Sequence, residues 1–126
     1  MRPGRPLPGS LVVALAMVGC QWDSGGSRAA PYTGGDPDNG RRLVMSVGCG
    51  ACHAIPGIPA ARGVVGPPLG GFARRSYVGG EVPNTTENLI QWLQDPRSIE
   101  AKTAMPSLGL TAAQARDVAA FLYTLD

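Results

Sequence analysis

The chain has 126 residues, of which 44% are hydrophobic, 16% charged and 6% aromatic, and its formal net charge is +2. This length fits one domain, and the balance of apolar and charged residues excludes a disordered chain. The small net charge argues against a nucleic-acid binder. With 18 glycines, 12 prolines and few aromatic rings, the chain is short of large side chains for a core. We therefore expect a bound non-protein group to fill part of that core.

The N-terminus has the pattern of an export signal. Arg2 and Arg5 precede a short apolar segment, residues 11–19, and such a segment is shorter than the roughly 20 residues that span a bilayer. It ends in a run similar to a bacterial lipobox, Met17-Val18-Gly19-Cys20. This predicts a lipoprotein-type signal peptide over residues 1–19 and lipid attachment at Cys20. The alternative is an ordinary signal peptide cleaved elsewhere, which leaves Cys20 as a free thiol.

Residues 20–35 are predicted to be a flexible tether, because glycine, serine and proline are frequent there and no helical or strand period appears. A lipid anchor with more than one acyl chain gives stable membrane attachment. The mature chain loses two of the 11 basic residues with the leader, which leaves nine, equal to the nine acidic residues. The excess positive charge therefore belongs to the signal.

Residues 36–126 are predicted to form the folded domain, with three helices. The first begins after Asp36, a residue suited to capping, and ends at Gly48. The second begins near Thr85 and is stopped by Pro96, and the third begins with a capping box at Thr111 and runs to the C-terminus. No segment alternates long enough to predict a sheet, so the fold class is all-α. The long loop between the first two helices is typical of a chain that wraps a ligand.

The motif Cys49-Gly50-Ala51-Cys52-His53 is the c-type haem attachment signature C-x-x-C-H. Two thiols in one turn reach the two vinyl groups of one porphyrin, and the next residue places an imidazole under the iron. A structural zinc site needs four ligands, and a thioredoxin-type pair needs a βαβ setting. A short disulfide would leave His53 unexplained. The motif therefore predicts one haem c, bound through Cys49 and Cys52, with His53 as an iron ligand.

Met105 is the candidate for the second axial ligand. His53 is the only histidine in the chain, so two histidines cannot ligate the iron. Of the four methionines, Met1 and Met17 precede the domain and Met45 lies in the first helix, whereas Met105 lies in a loop beside a proline. His/Met is a standard axial pair of c-type haem. The alternative role for Met105 is an adaptable core side chain.

Taken together, residues 36–126 resemble the class I cytochrome c family, small bacterial members in particular. Besides the haem motif, the resemblance rests on three runs and the final helix; the runs are Gly66-Pro67-Pro68-Leu69, Asn88-Leu89-Ile90-Gln91-Trp92-Leu93-Gln94-Asp95-Pro96 and Thr103-Ala104-Met105-Pro106. It implies a cytochrome c fold in which three main helices and long loops wrap one covalent haem. It also implies that the first and last helices cross, with Gly40 and Leu43 against Phe121 and Leu122.

The resemblance also implies roles for further residues around the haem. The backbone carbonyl of Pro67 is expected to accept a hydrogen bond from His53, which fixes the ring. Trp92 is expected on the Met105 side of the porphyrin, or simply as a core aromatic residue. The other expected pocket residues are Leu69 and Leu93, which would line it, and Arg74, Arg75 and Tyr77, which would reach a propionate; for each arginine the alternative is a solvated surface side chain.

Two strong axial ligands leave the iron without an open position, which predicts a single-electron carrier and not an enzyme. We expect it at the periplasmic side of a bacterial membrane, in a respiratory chain. Its expected donor is a dehydrogenase or quinol-oxidising complex, and its expected acceptor is a terminal oxidase or another cytochrome. Alternatives are a fixed cytochrome subunit of such a complex, a non-haem redox module, or a haem enzyme or gas sensor with a displaceable Met105. The last is suggested by Ala101-Lys102, where many relatives have Pro-Gly.

Overall fold

The computed structural model describes residue 4 and residues 33–126. The predicted signal peptide and the predicted lipid attachment site, Cys20, lie outside the described residues. The last residues of the predicted tether are described and lie against the domain. Thr33 is only 4% exposed, and a Cβ added to Gly35 would come within 2.6 Å of the Asp117 backbone nitrogen. The chain is therefore already packed on the domain before the first helix begins.

Three helices form the body of the domain: α1 is Pro37–Val47, α2 is Thr86–Gln94 and α3 is Ala112–Leu122. All three predicted helices are thus confirmed, although α3 ends at Leu122 and the chain continues irregularly to a buried Leu125. The helices and the loops between them make the fold mostly helical, as expected.

The helix starts are fixed by the capping residues that the sequence predicts. The Asp36 carboxylate accepts a hydrogen bond from the Asp38 backbone N–H at 2.9 Å, and the Thr85 hydroxyl accepts one from Asn88 at 3.2 Å. Thr111 forms a complete capping box with its third helical residue. These bonds satisfy backbone donors that have no partner inside the helix, which sets where each helix begins.

Helices α1 and α3 cross in close contact at Gly40. A Cβ at this position would lie 2.9 Å from the Phe121 Cβ and would collide with the Asp117 carbonyl group. The Asp117 carboxylate also accepts hydrogen bonds from the Asp36 backbone N–H at 2.8 Å and the Asn39 side-chain amide at 2.6 Å. The expected crossing of the first and last helices is present, and Gly40 makes it possible because it has no side chain.

The long loop between α1 and α2 contains short regular elements. A 3-10 turn covers Phe72–Arg74, and a two-stranded antiparallel hairpin pairs β1, Tyr77–Val78, with β2, Val82–Pro83. The sequence predicted no sheet, because strands of two residues are too short to show alternation. Gly79 and Gly80, with φ of 62° and 80°, make the turn between the strands.

The buried apolar side chains form one cluster between the three helices and the long loops. Helix α3 contributes more of it than either of the other helices, and its positions with almost no exposure include Ala115, Val118 and Ala119. Val44 from α1 and Leu89 from α2 are each 1% exposed. The cluster leaves an open cavity on one side, which the attachment motif borders.

Candidate haem-binding site

A cavity of about 390 Å³ lies between the helices and the long loops. Its volume falls within the range of pockets that hold small molecules and cofactors, about 300–1,000 Å³. Apolar side chains from all three helices form its inner wall, and they are Val44, Leu89, Leu93, Val118 and Leu122. Spacing by four within α2 and within α3 gives each helix one face toward the cavity. Such a wall keeps water away from a group bound inside.

The attachment motif lies at the cavity because α1 ends directly before it. Gly48 takes φ of 85°, a left-handed conformation suited to glycine, and a 3-10 turn over Cys49–Ala51 follows. The Cys49 carbonyl accepts backbone hydrogen bonds from Cys52 at 3.2 Å and His53 at 3.0 Å. This turn brings both thiols and the imidazole to the same cavity wall.

The Cys49 thiol is partly withdrawn from solvent. Burial raises its pKa, because the thiolate loses hydration; a backbone hydrogen bond opposes this shift, and the neighbouring Cys52 adds a smaller increase. Before haem attachment the buried site therefore favours the neutral thiol.

The His53 ring is held from two sides. Its Nδ1 lies 2.7 Å from the Pro67 carbonyl oxygen. Since a carbonyl only accepts, Nδ1 carries the proton and donates, and Nε2 keeps a lone pair for a metal. Gly66 lies against the ring, and a Cβ there would come within 2.6 Å of Nδ1 and 2.8 Å of Nε2. This is the arrangement of Pro67 and His53 that the resemblance implies.

Met105 lines the cavity from the loop between α2 and α3. Its backbone N–H donates to the Thr103 hydroxyl at 3.2 Å. One turn earlier, the Lys102 backbone N–H donates to the Glu100 carboxylate at 2.7 Å, and Thr103 N–H donates to the Glu100 carbonyl at 3.0 Å. The loop is thus tied by local hydrogen bonds even though Ala101-Lys102 replaces the Pro-Gly of many relatives.

Four other predicted pocket residues also reach the cavity: Leu69, Tyr77, Trp92 and Leu93. Trp92 is half-buried, and its ring lies under the hairpin turn, where a Cβ at Gly79 would come within 2.5 Å of Cζ3. The absence of a side chain at Gly79 therefore gives the indole ring its place beside the cavity.

The two arginines that were both predicted to reach a haem propionate, Arg74 and Arg75, have different positions in the structure. Arg75 lines the cavity, its guanidinium donates to the Pro68 carbonyl, and its Cζ lies 5.5 Å from the Phe72 ring centre. Arg74 does not line the cavity; its side chain is 69% exposed and lies 3.9 Å from the Asp126 carboxylate. The expectation that Arg74 binds the haem is therefore not supported by its placement. The two side chains differ in direction because the backbone conformation changes between them: the 3-10 turn ends at Arg74, and Arg75 has extended backbone.

Asn84 contributes to the site although the sequence did not single it out. Its side-chain amide donates to the carbonyl oxygens of Phe72 at 3.2 Å and Arg75 at 3.0 Å, and its Oδ1 accepts from the Tyr123 hydroxyl at 3.0 Å. It thus joins the turn that carries Arg75 to the C-terminal segment. A lone asparagine in a loop has no sequence pattern that marks such a role.

The residues around the cavity fit a covalently bound porphyrin. Two thiols share one turn, an imidazole with a free Nε2 follows them, and a thioether side chain lines the same space. The wall between them is apolar, as a porphyrin ring requires, and Arg75 and Tyr77 supply polar groups at the cavity.

Comparison with known proteins agrees with this geometry. The model of the cytochrome c family matches residues 37–126. Cytochrome c oxidase subunit 2 of Alkalihalophilus pseudofirmus is 33% identical over 70 residues, which are 56% of this chain and 20% of that relative. The match thus spans about a fifth of the relative's length. The chain belongs to the cytochrome c family, and its haem c is bound through Cys49 and Cys52.

Proposed function

We propose that the protein is a membrane-tethered mono-haem cytochrome that carries single electrons in a respiratory chain, with His53 and Met105 as the axial ligands of the iron. One observation carries this proposal. His53 and Met105 come from loops more than fifty residues apart in the chain, and both line the cavity that the two haem-attaching cysteines border.

When bound, haem c supplies an iron that exchanges one electron. The residues of the chain set the conditions for that exchange. The Pro67 carbonyl orients the His53 ring and increases its basicity, and the apolar helix faces exclude water. With an imidazole and a thioether as ligands, substrate has no coordination position, which favours electron transfer over catalysis at the iron.

The membrane tether is supported by the leader and the lipobox-like run that ends at Cys20. None of the helices in the described part of the chain has both the length and the apolarity to cross a bilayer. We propose that a lipid on Cys20 holds the domain at the periplasmic face of a bacterial membrane. The mass of the mature protein tests this, since it reports both the lipid and the haem; a free Cys20 thiol would contradict it.

The similarity to an oxidase subunit favours a terminal oxidase as the electron acceptor. The same similarity supports a second candidate, a fixed cytochrome subunit of such a complex. Purification from membranes in mild detergent separates the two. A free carrier elutes alone, whereas a fixed subunit stays with the oxidase polypeptides in constant ratio.

The axial ligand assignment is tested with Met105→Ala and the matched control Met45→Ala. Met45 is 42% exposed on α1, so its loss leaves the cavity unchanged. Because axial ligands shift haem potentials over a range of about 0.8 V, we expect Met105→Ala to lower the reduction potential by about 100 mV or more. The potential of Met45→Ala is expected to match the wild type. An unchanged potential in Met105→Ala would contradict ligation.

A further inference from the structure

We infer that Tyr123 and Asn84 are positioning residues, which hold the Arg75 guanidinium at the cavity and thereby raise the reduction potential of the haem. The inference rests on the proposed electron-carrier function. In the described part of the chain, Arg75 is the one permanently charged side chain that lines the cavity. Its position therefore decides how strongly a group bound there is affected by a positive charge.

Asn84 is the main support of the Arg75 turn, by which we mean residues 72–76. Its side-chain amide donates to the carbonyl oxygens of Phe72 at 3.2 Å and Arg75 at 3.0 Å. Its backbone N–H donates to the Ser76 carbonyl at 2.9 Å. These bonds lie where the 3-10 turn ends, and they replace the bonds that a continuing helix would supply. The turn is therefore fixed largely by one asparagine.

The segment that follows α3 holds Asn84 and the turn together. The Tyr123 hydroxyl donates to Asn84 Oδ1 at 3.0 Å, which leaves the amide nitrogen to donate to the turn. The Tyr123 ring lies 6.0 Å from the Phe72 ring at an angle of 57°. The Ala73 backbone N–H donates to the Leu125 carbonyl at 3.1 Å. The C-terminal segment thus orients the amide and contacts the turn directly.

The Arg75 side chain extends from this turn toward the iron-ligand side of the cavity. Its guanidinium donates to the Pro68 carbonyl, and its Cζ lies 5.5 Å from the Phe72 ring centre. Pro68 follows Pro67, whose carbonyl is bonded to the His53 ring. A displacement of the Arg75 turn would therefore move the positive charge relative to the proposed iron ligand.

The sign of the effect follows from charge. Oxidation adds one positive charge to the bound group, and a nearby guanidinium, which stays charged at any working pH, disfavours that state. Such repulsion is stronger where the surroundings are apolar than in water, and the inner wall of this cavity is apolar. A guanidinium held at the cavity therefore raises the reduction potential, and one that is released into water raises it less.

The test is a spectroelectrochemical titration of holoprotein variants. We expect Arg75→Leu to lower the equilibrium constant for one-electron reduction by about tenfold, which is about 59 mV. Asn84→Ala should lower it by about threefold, because the guanidinium is loosened and not removed. In the Arg75→Leu background, Asn84→Ala should cause no further change, because it acts through the charge that is already gone.

Asn88→Ala is the matched control. The Asn88 side-chain amide also donates to a backbone carbonyl, that of Pro83, at 2.9 Å. This bond lies outside the Arg75 turn, so its loss tests the general cost of removing an asparagine amide in this region. The potential of Asn88→Ala is expected to equal that of the wild type.

Hydrogen exchange followed by NMR reports the turn independently of the potential. The backbone amides of Ala73 and Arg75 should exchange about tenfold faster in Asn84→Ala than in the wild type or in Asn88→Ala, because local opening becomes easier. Tyr123→Phe is the second variant, since it removes the hydroxyl and keeps the ring. It should shift the potential and the exchange rates in the same directions to a smaller extent, and it tests the inference even if Asn84→Ala does not fold.

Three results would overturn the inference. One is a wild-type potential in both Asn84→Ala and Tyr123→Phe. Another is an equal shift in Asn88→Ala and Asn84→Ala. The third is a shift by Asn84→Ala that is as large in the Arg75→Leu background as in the wild type, which would show that Asn84 does not act through Arg75. Failure of the proposed function gives a different result, since the wild type would then show no reversible one-electron reduction in a mediated titration.

Discussion

Gly66→Ala should disturb the proposed iron ligand His53 without replacing any functional group of the site. A Cβ at this position would come within 2.6 Å of His53 Nδ1 and 2.8 Å of Nε2. A free side chain would rotate away from such a contact. The His53 ring has no such freedom in the holoprotein, because Nδ1 is bonded to the Pro67 carbonyl at 2.7 Å and Nε2 is the atom left for the iron.

The expected magnitude follows from two contributions. Overpacking by one methyl group in a tight site costs about 1–3 kcal/mol. Weakening the hydrogen bond between His53 and Pro67 costs about 0.5–1.5 kcal/mol more. The sum, about 2–4 kcal/mol, lowers the unfolding temperature of a domain this size by about 10–20 °C. The same hydrogen bond makes the imidazole a stronger donor to oxidised iron, so its loss should raise the potential of the one-electron couple by about 20–65 mV.

The assays are thermal unfolding of the holoprotein followed by circular dichroism, and a spectroelectrochemical titration. Gly57→Ala is the matched control. Gly57 has a φ of 73° and nothing within 4 Å of an added Cβ, so alanine there brings only backbone strain of about 1–2 kcal/mol. Its potential should equal that of the wild type. If Gly66→Ala kept both the stability and the potential of the wild type, the described packing around His53 would be refuted.

Two further predictions concern the helices and the C-terminal segment. Gly40→Ala should destabilise the protein by about 1–3 kcal/mol in denaturant unfolding, because a Cβ collides with α3. The control Ser46→Ala, at an exposed position of α1, should leave the stability unchanged. Equal stability of both variants would contradict the close crossing of the helices. Burial raises the pKa of the Tyr123 phenol above its usual value, and a nearby carboxylate adds a smaller increase. The neutral phenol therefore contributes its full share of stability below about pH 10, and that share is lost as pH rises through the raised pKa. Tyr123→Phe should therefore be less stable than wild type by about 1 kcal/mol at pH 7 in denaturant unfolding, with a difference that narrows above about pH 10. A difference that stays constant with pH would contradict this prediction.

The helices were predictable because their ends are coded locally. The Thr111 capping box and the Asp36 cap each satisfy a backbone donor within three residues, and such patterns are visible in sequence. The attachment motif is equally local, since Cys49, Cys52 and His53 share one turn. Met105 is distant in the chain, and it was predicted by elimination, because His53 is the only histidine and the other three methionines lie in the leader or in α1.

Other features were not predictable because they depend on the direction of a single side chain in an irregular loop. Arg74 and Arg75 are adjacent residues of the same type. Because a 3-10 turn ends between them, Arg74 lies near Asp126 and Arg75 lines the cavity. The exposure of Val64 is likewise unexpected, since sequence alone places a valine inside.

The central claim is that His53 and Met105 close the iron to other ligands. The most direct test adds carbon monoxide to the reduced holoprotein and follows the absorption spectrum. We expect no rapid change in the wild type, and rapid binding in Met105→Ala, in which the thioether that lines the cavity is removed. Rapid carbon monoxide binding by the wild-type protein would contradict the claim and would favour a haem enzyme or gas sensor.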